Sequence, residues 1–148
     1  MSMPKAQAAL NGSAQYPNIR GTVSFYPVDH GTLVITEVTG LPFTPGACNA
    51  RVFALHIHEG GRCTGNAQDP FADTGDHYNP DGCKHPQHAG DLPPLFGNDG
   101  YAWGAVVTDR FKIDQVIGRT VIIHAGPDDF TSQPSGNAGA KIACGVIR

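Results

Sequence analysis

Short apolar runs separated by turn-forming residues make up most of this chain, and no stretch carries the spacing of a long amphipathic helix. The runs predict strands near Ala6–Leu10, Ile19–Pro27, Thr32–Val38, Arg51–Glu59, Tyr101–Thr108, Thr120–His124 and Lys141–Ile147, with a weaker one at Leu92–Phe96. Turn signals divide them at Pro27–Gly31, Thr44–Gly46, Asn98–Gly100 and Pro134–Asn137. Asp99-Gly100, set between two apolar runs, is the strongest hairpin turn. Thr108–Gly118 has room for one short helical turn. The pattern predicts an all-β chain, an eight-stranded antiparallel Greek-key barrel or sandwich, over a single domain of residues 1–148.

Composition narrows the classes of function. The chain has 148 residues, enough for one core, and its 19 glycines and 12 prolines suit short strands joined by turns. A formal net charge of -3 with no basic cluster argues against a nucleic-acid partner. No run approaches the roughly 18 apolar residues of a bilayer span, so no membrane partner is expected and the chain reads as soluble. Its first ten residues lack the apolar core of an export signal, which leaves a cytoplasmic protein or one exported with its signal removed.

The histidines change the picture most. Six of the seven fall in four groups: His56-Ile57-His58, His77-Tyr78-Asn79-Pro80, His85 to Asp91 with His88 between them, and Val121-Ile122-Ile123-His124. Imidazole suits copper and zinc, and zinc accepts a carboxylate such as Asp91 beside it. Side chains alternate across a strand, so His56 and His58 share one face, and His124 ends a second apolar run that could meet them. His77, His85, His88 and Asp91 lie on a Gly/Pro/Asn-rich stretch, and long loops of that kind in compact domains are functional or held by something. A metal would hold this one.

In order along the chain, the HxH pair, His-aromatic-Asn-Pro, the single His, His-Ala-Gly-Asp-Leu, Gly-Arg-Thr-Val-Ile-Ile-His, Asp-Asp and Gly-Asn-Ala-Gly-x-x-x-Ala-Cys-Gly-Val-Ile resemble copper/zinc superoxide dismutase from about Gly21 to Ile147. The resemblance implies a Greek-key barrel with long metal-binding and channel loops. It implies copper held by His56, His58, His77 and His124, and zinc by His77, His85, His88 and Asp91, with His77 bridging the two ions. Asp128 matches the carboxylate that links a copper histidine to a zinc histidine, with a plain turn carboxylate as the competing reading. The implied reaction is disproportionation of superoxide anion to oxygen and hydrogen peroxide, an antioxidant oxidoreductase activity, with His77 also carrying a proton. The alternative is a non-catalytic copper/zinc-binding protein for metal storage or delivery. Loading with zinc alone is a third reading.

One position departs from the family. Lys141 stands where an arginine usually docks the anion; it keeps the charge but loses the planar fork, so docking should be looser and activity reduced. The channel segment Asp128–Gly136 holds no lysine or arginine, which leaves Lys141 as the main local attraction. The resemblance also pairs Cys63 with Cys144. Cys48 and Cys83 are extra to the pattern: a second disulfide between them is one reading, a stray Cys83 thiolate ligand near His85 another. Two disulfides would favour an oxidising compartment. His30 reads as surface, Trp103 as core or barrel-wall packing, and Asn137–Gly139 as backbone geometry. The family dimerises in different ways, so monomer and homodimer both stand.

Overall fold

Among the described residues, eight strands form one antiparallel sheet in the order β5-β4-β7-β8-β1-β2-β3-β6, curled into a nearly closed barrel. They are β1 (Ala6–Gly12), β2 (Arg20–Val28), β3 (Gly31–Thr39), β4 (Val52–His58), β5 (Asp91–Phe96), β6 (Ala102–Thr108), β7 (Thr120–His124) and β8 (Lys141–Val146). This computed structural model describes residues 3–148; Met1 and Ser2, which open the segment read above for an export signal, lie outside the described residues. All the predicted strands form within a residue or two of their expected limits. The helical turn forms too, as α1 (Ile113–Val116). Among the described residues no helix is long and apolar enough to cross a membrane.

The core follows from alternation. Phe53, Leu55 and Ile57 of β4 and Val121 and Ile123 of β7 point into the barrel, where they meet Leu10, Val23, Phe25 and Ile142. Ile122 and Cys144 face the other way, in a small cluster with Phe71 and Cys63. Because β4 and β7 lie side by side in mid-sheet, with His56 opposite Ile122 and His58 opposite Thr120, the outward face of this pair is where the histidines emerge.

Two expectations need correction. The Asp99-Gly100 turn forms, with Asn98 and Tyr101 exchanging backbone hydrogen bonds of 2.7 and 3.1 Å and both turn residues at positive φ. Its flanking strands do not ladder with each other, however: β5 pairs with β4 and β6 with β3, which leaves a seam between β5 and β6. Pro93 and Pro94, on β5, have no N–H to offer across that seam. Trp103, expected in the core or barrel wall, is not in the core but on the wall's outer face, 55% exposed, because β6 buries Ala102, half-buries Gly104, Val106 and Thr108, and turns Trp103 and Val107 outward.

Candidate metal centre

The strand-borne histidines are fixed by the sheet and then turned by backbone carbonyls. His58 donates from Nδ1 to the Gly75 carbonyl at 2.8 Å, and His124 from Nδ1 to the Gly139 carbonyl at 3.1 Å. Each therefore presents Nε2 inward, and these two nitrogens stand 3.4 Å apart. His56 is turned the opposite way: its Nε2 meets Asp128 Oδ2 at 2.8 Å, which leaves Nδ1 facing the cluster. With His77 the four histidines bring one ring nitrogen each to within 4.8 Å of one another, all buried.

The loop from Glu59 to Gly90 is laced to itself and to β4 by backbone hydrogen bonds. Glu59 N–H donates to Asp76, Gly60 N–H to Thr74, Tyr78 N–H to Ile57 and Ile57 N–H to Gly90, each at 2.8 Å. An isolated bridge sets His77 opposite His58. The loop thus has a protein framework of its own, beyond the metal that the sequence suggested as a holder. Below it, His77 Nδ1 lies 2.8 Å from Asp91 Oδ1 and 3.2 Å from His88 Nδ1, while His88 Nδ1 lies 3.3 Å from Asp91 Oδ2. His85 Nδ1 sits 3.0 Å from the same carboxylate oxygen, off the line of a hydrogen bond. Three Nδ1 atoms and one carboxylate converge here, a donor set suited to zinc.

Asp128 joins the two clusters. Its Oδ2 accepts from His56 Nε2 and its Oδ1 from His85 Nε2, both at 2.8 Å, and the Phe130 N–H adds a third bond at 2.8 Å. Reaching that amide puts Phe130 at φ 63, an uncommon conformation for a bulky residue. Gly136 closes over the carboxylate at φ 74, so close that a Cβ there would collide with Asp128 Oδ1. Gln133 clamps the same junction: its Oε1 accepts from the His85 N–H at 2.9 Å and its Nε2 donates to the His85 carbonyl at 2.7 Å.

Burial sets the protonation of the site. It drives the His58 pKa down to about 2 and that of His124 to about 3, with the neighbouring histidines pushing the same way. His56 and His88 are lowered from the same leading cause. Burial opposes ionisation of Asp91 and Asp128 as well, but hydrogen bonds from the histidines outweigh it and hold both carboxyls below the usual range. Neutral imidazoles beside ionised carboxylates are the states in which these groups bind metals. His56 Nδ1, His77 Nε2 and His85 Nδ1 are buried with no hydrogen-bond partner, which a folded protein tolerates poorly unless something else takes those lone pairs. The donors therefore fit two ions, with His77 presenting Nε2 to the four-histidine cluster and Nδ1 to the cluster around Asp91.

The comparisons with known proteins agree. The family model described as copper/zinc superoxide dismutase matches residues 19–147. The chain belongs to the copper/zinc superoxide dismutase family. It is 36% identical over 158 residues to superoxide dismutase Cu-Zn 2 of Aquifex aeolicus, covering 94% of this chain and 87% of that protein. It is 35% identical over 153 residues to the Cu-Zn superoxide dismutase of Deinococcus radiodurans, covering 90% of this chain and 80% of the relative. A solved structure of a double mutant of a SOD-like protein from Bacillus subtilis superimposes with a TM-score of 0.75 at 29% identity, over 95% of each chain.

Around this family centre the remaining candidates take different places. The Cys63–Cys144 disulfide forms, tying the metal loop to β8. Cys48 and Cys83 stay free and exposed, so the second bridge is not made, and Cys83 joins neither metal cluster. Cys83 is held instead by Asn79, whose side chain bonds its N–H and its carbonyl at 2.9 Å each. His30 is exposed, and Asn137 and Gly139 take positive φ. Lys141 lies opposite His124 across a bulge in the β7–β8 ladder and lines a cleft of about 420 Å³ with His58, His77 and His124. It is not a free cation: its ammonium donates to Asp69 Oδ2 at 3.0 Å and to the Phe71 carbonyl at 3.2 Å. Sequence reasoning missed Asp69 and Gln133, because each meets a partner far along the chain and neither belongs to a local motif. Gly136 was visible only as a turn residue.

Proposed function

We propose that this chain dismutes superoxide, with copper held by His56, His58, His77 and His124 and zinc by His77, His85, His88 and Asp91. Two superoxide anions and two protons become one oxygen and one hydrogen peroxide. Copper supplies the one-electron redox chemistry when bound, and zinc a closed structural position. The observation that carries this reading is the double membership of His77: it belongs to both donor groups, its Nδ1 lies among Asp91 and His88, and its buried Nε2 has no partner.

The residues divide the remaining work. The Gly75 and Gly139 carbonyls keep His58 and His124 in one tautomer, and Asp128 does the same for His56 and His85. His77 Nε2 is the atom that accepts a proton and passes it to product, while Asp91 keeps Nδ1 directed at the zinc cluster. The cleft beside His58, His77, His124 and Lys141 gives a small anion its approach.

A metal-storage or delivery role is the weaker reading, because the four-histidine group is complete and His88 Nδ1 stands 3.3 Å from Asp91 beside the group of His77, His85 and Asp91. Residues 1–148 are taken as one domain, and sedimentation equilibrium decides between the monomer and the homodimer that the sequence left open. The deciding experiment is superoxide decay by pulse radiolysis on copper- and zinc-loaded protein, with His124→Ala as control. Fast decay lost in His124→Ala supports the reading. Absence of decay with copper demonstrably bound sinks the enzyme and leaves a metal carrier.

A further inference from the structure

Lys141 offers the cleft its positive charge, and its environment cancels most of it. The residues lining this cleft include two carboxylates, Glu59 and Asp76, and a single lysine or arginine, Lys141. The Lys141 side chain is only 15% exposed, and its ammonium has spent two of its three donors on the disulfide-tied loop, on Asp69 Oδ2 and on the Phe71 carbonyl. Asp69 is built to receive it. Its Oδ1 accepts the Phe71 N–H at 2.9 Å, its own N–H donates to Asn66 Oδ1 at 2.9 Å, and its carbonyl accepts from Asn66 and Ala72. The carboxylate is therefore aimed by its own turn, with Oδ2 left for the lysine.

We propose that Asp69 is a positioning residue that sets the anion affinity of this site, by holding Lys141 beside His124 as a hydrogen-bond donor while neutralising its charge. The inference rests on the copper reading above and adds a residue to it. A neutral pair has a field that dies away within a few ångströms, so attraction over a Debye length of about 8–10 Å is lost while short-range donation by the third N–H survives. With Glu59 and Asp76 on the same rim, the wild-type cleft does not draw anions from a distance, and its rate does not fall as ionic strength rises. Lys141, placed by the family pattern as the source of attraction, works at contact range only.

The test uses the copper- and zinc-loaded protein, with azide as the probe anion and the copper absorption spectrum as readout. Asp69→Asn keeps the turn's shape and removes the charge; it should tighten the azide Kd about three- to tenfold and make superoxide turnover fall with added salt. In a Lys141→Met background the same Asp69→Asn change should have little effect, since there is no cation left to release. Unchanged azide affinity in Asp69→Asn, weaker binding, or an equal gain in the Lys141→Met background each overturns the inference while leaving the copper site intact. A protein that takes up no copper at these histidines fails at the earlier step, and both readings fall together.

Discussion

The two halves of the metal centre are built differently. His56, His58 and His124 stand on adjacent mid-sheet strands, so the ladder sets their positions and two carbonyls and one carboxylate need only turn the rings. His77, His85, His88 and Asp91 follow a long loop, apart from Asp91 at the start of β5, and their places depend on hydrogen bonds that the loop makes to β4, Asp128 and Gln133. A strand-borne site inherits rigidity from the barrel; a loop-borne site must assemble it bond by bond. The copper side should therefore survive injuries that loosen the zinc side.

Cutting the loop's covalent tie tests this hardest. Cys63→Ser opens a loop of sequence separation 81 and should cost about 4 kcal/mol in the chain-entropy model, read as a lowered midpoint in urea unfolding, with zinc lost before copper. Acid reverses the comparison by attacking the strand side of the metal-free protein. His58 and His124 are held neutral in the fold, with pKa near 2 and 3, while their unfolded counterparts titrate at 6.5. The unfolded state thus binds more protons as pH drops below 6.5, and stability falls with it. At pH 5 each histidine should cost about 2 kcal/mol relative to pH 7, seen as a falling Tm in calorimetry. A flat Tm over that range would show that these imidazoles are already solvated.

Asp128→Ala removes the carboxylate that links a histidine of each half. Loss of such a ligand-orienting carboxylate weakens metal binding by about 10–100-fold, and competition with a chelator should show the zinc site hurt more, because His56 keeps its strand while His85 has only its loop. Equal losses would mean that the sheet gives no extra rigidity. The mildest change is Gln133→Ala, which deletes a side chain bonded to both polar atoms of the His85 backbone. It should cost about 1 kcal/mol, visible in hydrogen exchange around residues 84–88 and not in β4.

Much of this was legible in advance. The strands, the helical turn and the Asp99-Gly100 turn follow from apolar runs and turn chemistry, and the grouping of candidate metal-binding histidines from their spacing, all of which act within a few residues; the division into a copper set and a zinc set came from the family resemblance. What escaped was non-local. The splayed β5 and β6 depend on which neighbours each strand finds, and Trp103 faces outward because of the register β6 takes. The pairing of Cys48 with Cys83 failed for a similar reason: Cys83 is bound into a turn with Asn79, and spacing along the chain says nothing about that.

The sequence by itself determined the kinds of ligand, their order and the face of β4 on which His56 and His58 emerge, because alternation in a strand is a local geometric rule. Tertiary structure decided which nitrogen of each ring turns inward, that Gln133 clamps His85, and that Lys141 is paired with Asp69 across 72 residues. Those choices depend on carbonyls, amides and charges brought together only when distant segments pack, and no local pattern records them.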